Sequence, residues 1–145
     1  MFRRILVGFD GSRDARRALR TALAMASSVS GEATVLIAVS ASHGETDEDR
    51  RAAFDAEAGP IQAMADQEVA TARSHATCTI HVVAGDRPAQ AMAAYVDEHG
   101  YDLLIVGRHG RERGAHGGLG RVARELAEKA TYPLLLIGDG NAGTP

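Results

Sequence analysis

Five short runs of aliphatic and β-branched residues punctuate the chain: RILVGF at 4–9, ATVLIAV at 33–39, TCTIHVV at 77–83, DLLIVG at 102–107 and PLLLIG at 133–138. Segments of helical pattern separate them, and that alternation predicts a parallel sheet with crossover helices. The runs around Leu6, Leu36, Ile105 and Leu135 are almost continuously apolar, as strands covered on both faces must be. The third run alternates instead. Cys78, Ile80 and Val82 share one face while Thr79, His81 and Val83 share the other, which places this strand nearer an edge.

Between the first two strands, Ala15, Ala18, Leu19, Ala22, Leu23 and Ala26 recur at helical spacing, with Arg16, Arg17 and Arg20 turned elsewhere. Ser12 is the expected N-cap and Gly31 the expected stop. Over 47–75 the charged stretch TDEDRR, Gly59 and Pro60 predict a loop and short helix, then a second helix with Pro60 in its first turn. Ile61, Met64, Ala65, Val69 and Ala72 form the apolar stripe of that second helix. Two more helices are expected, from about Pro88 to His99 and from about Leu119 to Ala130. The closing GDGNAGTP lacks apolar periodicity, so the expected organisation is one domain over 1–138 and a frayed tail over 139–145.

Composition narrows the function classes. With 145 residues, 45% of them apolar, the chain suits one domain that buries about two-thirds of its unfolded surface. A net charge of −3 and a pI near 6.0 argue against general affinity for nucleic acid or anionic membrane. A single cysteine, Cys78, excludes an intrachain disulfide framework and suits a reducing compartment. The opening MFRRILVGFDGS is too short in apolar residues for a signal-peptide core, and no run approaches a membrane span. A cytoplasmic location is therefore expected.

Charge is distributed unevenly. Between Gly107 and Arg124 there are five arginines and one acid, Glu112, so this stretch carries a formal +4 and the remainder −7. The stretch GRHGRERGAHGGLGR at 107–121 also gathers six of the sixteen glycines. It follows a predicted strand and precedes a predicted helix, where ligands of open parallel sheets bind. Glycine lets main-chain amides approach an anion, and a helix N-terminus adds positive potential, so phosphate is the natural guest. A solvated surface loop is the alternative. Neither standard phosphate motif is present, and the only lysine is Lys129.

The spacing Gly107-x-x-Gly110, nine residues, then Gly120 resembles the nucleotide-binding signature of the universal stress protein family. RILVGFDGSRDARRALRTALAMA is similar to the family's first strand and helix, GDRPAQAMAAYVDEHGYDLLIVGRHG to its third helix and fourth strand, and ATYPLLLIG to its closing strand. Most of the chain is covered in order; 40–75 matches poorly. The resemblance implies an α/β fold with an open five-stranded parallel sheet, order 3-2-1-4-5, and helices on both faces. Strands 1 and 4 would then flank a crevice that takes ATP, ADP or AMP, with or without magnesium.

Carried over by resemblance, Asp10 would hold the ribose, main chain at Val39 the base, and Gly107, Gly110, Gly120, Arg121, Val122 and Ala123 the phosphates, with Gly8, Val106 and Arg108 completing the site. Asp10 is equally a turn residue of DGS. The amides of Gly107, Gly110 and Gly120 would form a cup facing Asp10. One departure stands out: the family has Ser or Thr after the last glycine, and this chain has Arg121. Its guanidinium can make a charge-assisted phosphate contact, swing into solvent or cover the site. The resemblance also implies a homodimer through Leu134, Leu135, Leu136 and Ile137, which would cover an apolar edge strand.

Catalytic groups are scarce. Histidines at 43, 75, 81, 99, 109 and 116 form no H-E-x-x-H or cysteine–histidine cluster. His109 and His116 flank the glycine-rich stretch and can contact an anion when protonated. Cys78 reads as a small hydrophobe on a strand. The expectation is a non-enzymatic, nucleotide-responsive stress protein; the alternatives are a dimeric interaction protein whose site Arg121 alters, and a slow ATPase.

Overall fold

The computed structural model of the protein describes residues 2–40, 44–111 and 118–138. The elements alternate: β1 (Arg4–Gly8), α1 (Arg13–Ser28), β2 (Glu32–Val39), α2 (Asp47–Ala72), β3 (Thr77–Ala84), α3 (Pro88–His99), β4 (Leu103–Gly107), α4 (Arg121–Lys129) and β5 (Leu134–Ile137). All five strands are parallel in one sheet of order β3-β2-β1-β4-β5. β1 sits in the middle, with Ile5 opposite both Ala33 and Leu103, and Val7 opposite both Val35 and Ile105. As expected, β3 lies at an edge and shows the alternating exposure of a half-covered strand.

The order explains the two layers. Moving from β1 outward to β3 lays α1 and α2 on one face; the return to β4 and on to β5 lays α3 and α4 on the other, because such crossovers share one hand. Ile5, Val7, Val35 and Ile37 pack with the Ala18, Leu19, Ala22 and Leu23 stripe of α1. Leu6, Leu36, Leu104 and Val106 pack with Met92 and Val96 of α3 and Leu126 of α4. Leu6 and Leu104 are wholly buried. Truncating either to alanine would cost about 2–5 kcal/mol.

Ser12 caps α1 as expected, its hydroxyl accepting from the Ala15 amide at 3.2 Å. Gly31 differs from expectation. Ser30, not Gly31, takes the left-handed conformation, at φ 52°. A Cβ on Gly31 would lie 2.4 Å from the Arg3 carbonyl oxygen, so glycine is needed there for close approach to the strand beside it.

The segment 47–75 is also a correction. One 26-residue helix runs through Pro60, where the sequence predicts a loop and two helices. Proline inside a helix removes one bond and typically costs about 3 kcal/mol. Ala56, whose carbonyl loses its partner, is exposed, so water can serve it. Buried Ala58, Ile61 and Ala65, with Phe54 and Val69 beside them, hold both halves against the same core. Met64, expected in the stripe, is 38% exposed. α4 begins two residues later than expected, with Gly120 at its N-cap. The tail 139–145 lies outside the described residues.

Candidate functional site

β1 and β4 send their crossovers to opposite faces, so nothing bridges the gap beyond their carboxyl ends. A cavity of about 550 Å³ opens there. That volume suits a small-molecule ligand.

Asp10 forms the first wall. Its Oδ1 accepts from the Ser12 amide at 2.9 Å, closing a tight turn in which Gly11 takes φ +80°. Its Oδ2 faces the opposite loop, lying 3.0 Å from where a Cβ on Gly110 would be. The turn role and a ligand-facing role thus fall on different oxygens of one carboxylate.

The opposite wall begins where β4 ends. A Cβ on Gly107 would lie 2.7 Å from the Asp14 Cβ and 3.0 Å from the Ala15 nitrogen, so glycine here lets β4 touch the start of α1. The Arg108 amide donates to the Ile137 carbonyl at 2.8 Å, and the Arg108 carbonyl accepts from the Gly120 amide at 2.7 Å. These bonds draw the end of the loop back onto the strand. α4 then starts without a side-chain cap, and its first internal bond runs from the Arg124 amide to the Gly120 carbonyl at 2.9 Å. The Val122 and Ala123 amides accordingly have no acceptor within the helix. The expected cup of three glycine amides is altered in one member: the Gly120 amide is committed to Arg108, Gly107 also lets β4 pack against α1, and the Val122 and Ala123 amides add donors at the start of α4.

A third wall comes from α3, which begins at Pro88 on the N-cap Arg87 and likewise has no side-chain cap. Met92 reaches under the strands, its Cε lying 2.4 Å from where a Cβ on Gly8 would be, so a side chain there would have to displace the end of Met92. Beyond β2, the Ser40 hydroxyl donates to Asp86 at 2.8 Å, and the Ser40 amide donates to Glu57 at 2.8 Å.

Nine of the eleven expected site residues line this cavity: Gly8, Asp10, Val106, Gly107, Gly110, Gly120, Arg121, Val122 and Ala123. The other two do not. Val39 is buried and its carbonyl accepts from the Gly85 amide at 2.8 Å; Ala38 lines the cavity in its place. Arg108 turns its side chain toward Gly138 beside β5. Of the other clustered arginines, Arg111 also reaches the cavity. Glu112, Arg113 and His116 lie outside the described residues, as does His43.

Sequence reasoning missed Asp14. It is 1% exposed, and its Oδ2 accepts from the His109 amide at 3.1 Å and sits 3.1 Å from the His109 ring Nδ1. The signal was present, because 14, 18, 22 and 26 form one helical row and the other three positions are buried alanines. Asp86, which also lines the cavity, carried no comparable local sign. Cys78 is half-buried in the sheet; desolvation, helped by Asp66, pushes its thiol up, so it stays protonated and packs as a hydrophobe.

With fold and cavity described, the chain can be placed among known proteins. A model of the universal stress protein family matches residues 1–138, and the chain belongs to that family. No curated protein matches it in sequence. Among solved structures it is similar to the universal stress protein UspA from Lactobacillus plantarum, with 24% identity and a TM-score of 0.80 over 94% of this chain and 97% of that one. It is also similar to the universal stress protein from Archaeoglobus fulgidus in complex with dAMP, with 23% identity and a TM-score of 0.69 over 94% and 98%. A third is a universal stress protein family member from Arabidopsis thaliana with AMP bound, at 19% identity and a TM-score of 0.66 over 98% and 95%. At these identities the likeness establishes the shared fold. Among the described residues, no helix is long and apolar enough to cross a membrane.

Proposed function

We propose that the protein binds an adenine nucleotide, ATP, ADP or AMP, between β1 and β4 and acts as a nucleotide-responsive regulator in the cytoplasm. The observation that carries this reading is an acceptor and a donor set facing each other across one cavity: Asp10 Oδ2 on one wall, the first turn of α4 on the other. A carboxylate accepts from ribose hydroxyls, and an uncapped helix start takes phosphate. In this reading Gly110, Gly120, Arg121, Val122 and Ala123 surround the phosphates, Gly8, Val106 and Gly107 shape the floor, and the base lies toward Ala38 and Asp86. The dAMP and AMP held by two proteins of the same fold support the choice of adenine. No group of three or more metal-ligating side chains occurs among the described residues, so a magnesium ion would be held chiefly through the nucleotide phosphates.

Arg121 is read as a phosphate contact that replaces the family's hydroxyl. Calorimetric titration of the wild-type chain and Arg121→Ser with ATP and AMP tests both points. Binding by both proteins, within about fivefold, supports the reading; a nucleotide at a hundred times its Kd would then stabilise the fold by about 2.7 kcal/mol. Binding by Arg121→Ser alone would make Arg121 a cover over the site. Binding by neither would favour a dimeric interaction protein. That second reading has its own observation: Leu134, Leu135, Leu136 and Ile137 are all half-buried on a strand whose outer edge pairs with no other strand among the described residues. A homodimer through β5 would cover it. Light scattering of wild type and a Leu136→Lys variant would show whether the dimer forms and dissociates.

A further inference from the structure

One charged side chain in the interior has no part in the binding reading. Asp14 is 1% exposed, and its Oδ1 has no hydrogen-bond partner among the described residues. Its Oδ2 holds both the amide and the ring Nδ1 of His109, each at 3.1 Å. The other ring nitrogen, Nε2, lies 2.6 Å from the Gly118 carbonyl oxygen. A neutral imidazole carries one N–H and can serve one of these two acceptors; serving both takes a ring protonated on both nitrogens. Moving that proton onto Asp14, with Nδ1 as acceptor, leaves the count unchanged. The closed arrangement holds one proton more than a carboxylate beside a neutral ring. Burial supports it, because a carboxylate this deep without a compensating charge is strongly disfavoured.

Position gives the pair its consequence. Asp14 is fixed in the first turn of α1, packed against Gly107. His109 precedes Gly110, and Gly118 lies two residues before the N-cap of α4. The Ser12 hydroxyl, 3.4 Å from the His109 carbonyl, adds a second tie to α1. One ring therefore joins both described ends of the glycine-rich loop to the side-chain-capped start of α1 beside the cavity.

We propose that Asp14 and His109 are positioning residues, forming a proton-dependent clasp that sets Gly110 and the first turn of α4 for phosphate, so that nucleotide affinity rises as pH falls. This rests on the nucleotide reading above. Asp14 touches the ring, and Asp10, Arg111 and Arg121 line the same cavity as His109, while Arg124 of α4 reaches toward Gly118 and the Arg108 side chain turns away toward Gly138. The carboxylates favour the protonated ring and the arginines oppose it. An arriving polyphosphate offsets the arginines, so binding and proton uptake reinforce each other. Above the pH at which the pair releases its proton, the ring keeps one of its two contacts and one end of the loop is let go.

The test compares ADP affinity of the wild type, His109→Gln and Asp14→Asn at about pH 6 and about pH 8, where histidine changes charge. The nucleotide's own ionisation and the remaining histidines act equally on all three proteins, so the variants supply the background. The expected result is a wild-type advantage over each variant that is about tenfold larger at the lower pH. Nitrogen NMR of the His109 ring and carbon NMR of the Asp14 carboxyl in nucleotide-free wild type need no variant; at about pH 6 they should show either both ring nitrogens protonated or a protonated Asp14 beside a ring that carries its proton on Nε2. Parallel pH profiles in wild type and His109→Gln, or a ring with one bare nitrogen beside an ionised Asp14 carboxylate at the lower pH, would overturn the proposal. Failure of wild type to bind ADP at either pH would overturn the nucleotide reading and the coupling with it, and the ring signature would then show whether the clasp exists without a ligand.

Discussion

The two ends of the sheet share one core and differ in how their polar groups are used. At the amino end the groups satisfy one another. Asp102 accepts from the Arg3 and Arg4 amides at 3.0 and 2.9 Å, Arg4 pairs with Glu32 at 2.7 Å, and its guanidinium lies 4.8 Å over the Tyr101 ring. The same guanidinium reaches the His99 and Gly100 carbonyls that close α3. At the carboxyl end, α3 and α4 start without side-chain caps, Asp10 turns one oxygen across the crevice, and Asp14 keeps one oxygen without a partner among the described residues. Native interiors rarely leave such groups short of partners. An end that saturates itself is scaffold; an end left short of partners is where a polar ligand is accommodated at least cost.

The comparison can be broken most severely at the contact that builds the carboxyl end. Gly107→Ala forces a methyl group against Asp14 and the α1 backbone, and is expected to destabilise the fold by about 1–3 kcal/mol and abolish nucleotide binding. Thermal melts with and without ATP read both effects. Asp10→Asn keeps an acceptor for the Ser12 amide but loses the charge that faces the crevice. Its affinity for ATP should fall by about 1.5–3 kcal/mol in calorimetry, while the ligand-free melting temperature barely moves.

At the amino end the pattern should invert. Arg4→Met removes a half-exposed ion pair and a ring contact, so about 1 kcal/mol of stability should go while ATP affinity is unchanged. Asp102 is the smallest case. The Arg4 amide holds its carboxyl below the ordinary range, against the opposing effect of burial and with help from the Arg3 amide. A depressed folded value means that the contribution is present above the unfolded value, about 3.9, and is lost as pH falls through the folded one. Thermal melts from about pH 5 down to about pH 2 should therefore show a slightly shallower acid decline in Asp102→Asn than in wild type. An equal or steeper decline would remove Asp102 from the account.

Much of this was legible in the residues. The unbroken apolar runs of β1, β2 and β4 announce strands covered twice, the alternation in β3 announces an edge, and Ser12 announces the start of α1. These are short-range signals, because burial of one face and capping of one turn depend on residues a few positions apart. The continuity of α2 was not legible, since Pro60 is locally a breaker and only the shared surface of α1 and β2 keeps both halves in line.

The site divides in the same way. Sequence alone determined that glycines and arginines gather after the fourth strand and that an acid follows the first; the family resemblance named eleven site residues, and the structure brings nine of them to one cavity. Only the tertiary structure decided what each glycine is for, which amides are already committed, and that Asp14 and His109, 95 positions apart, meet. Spacing along a chain encodes which face a residue occupies. Contacts of about 3 Å between backbones depend on how crossovers of opposite direction bring distant strands side by side, and no local pattern carries that information.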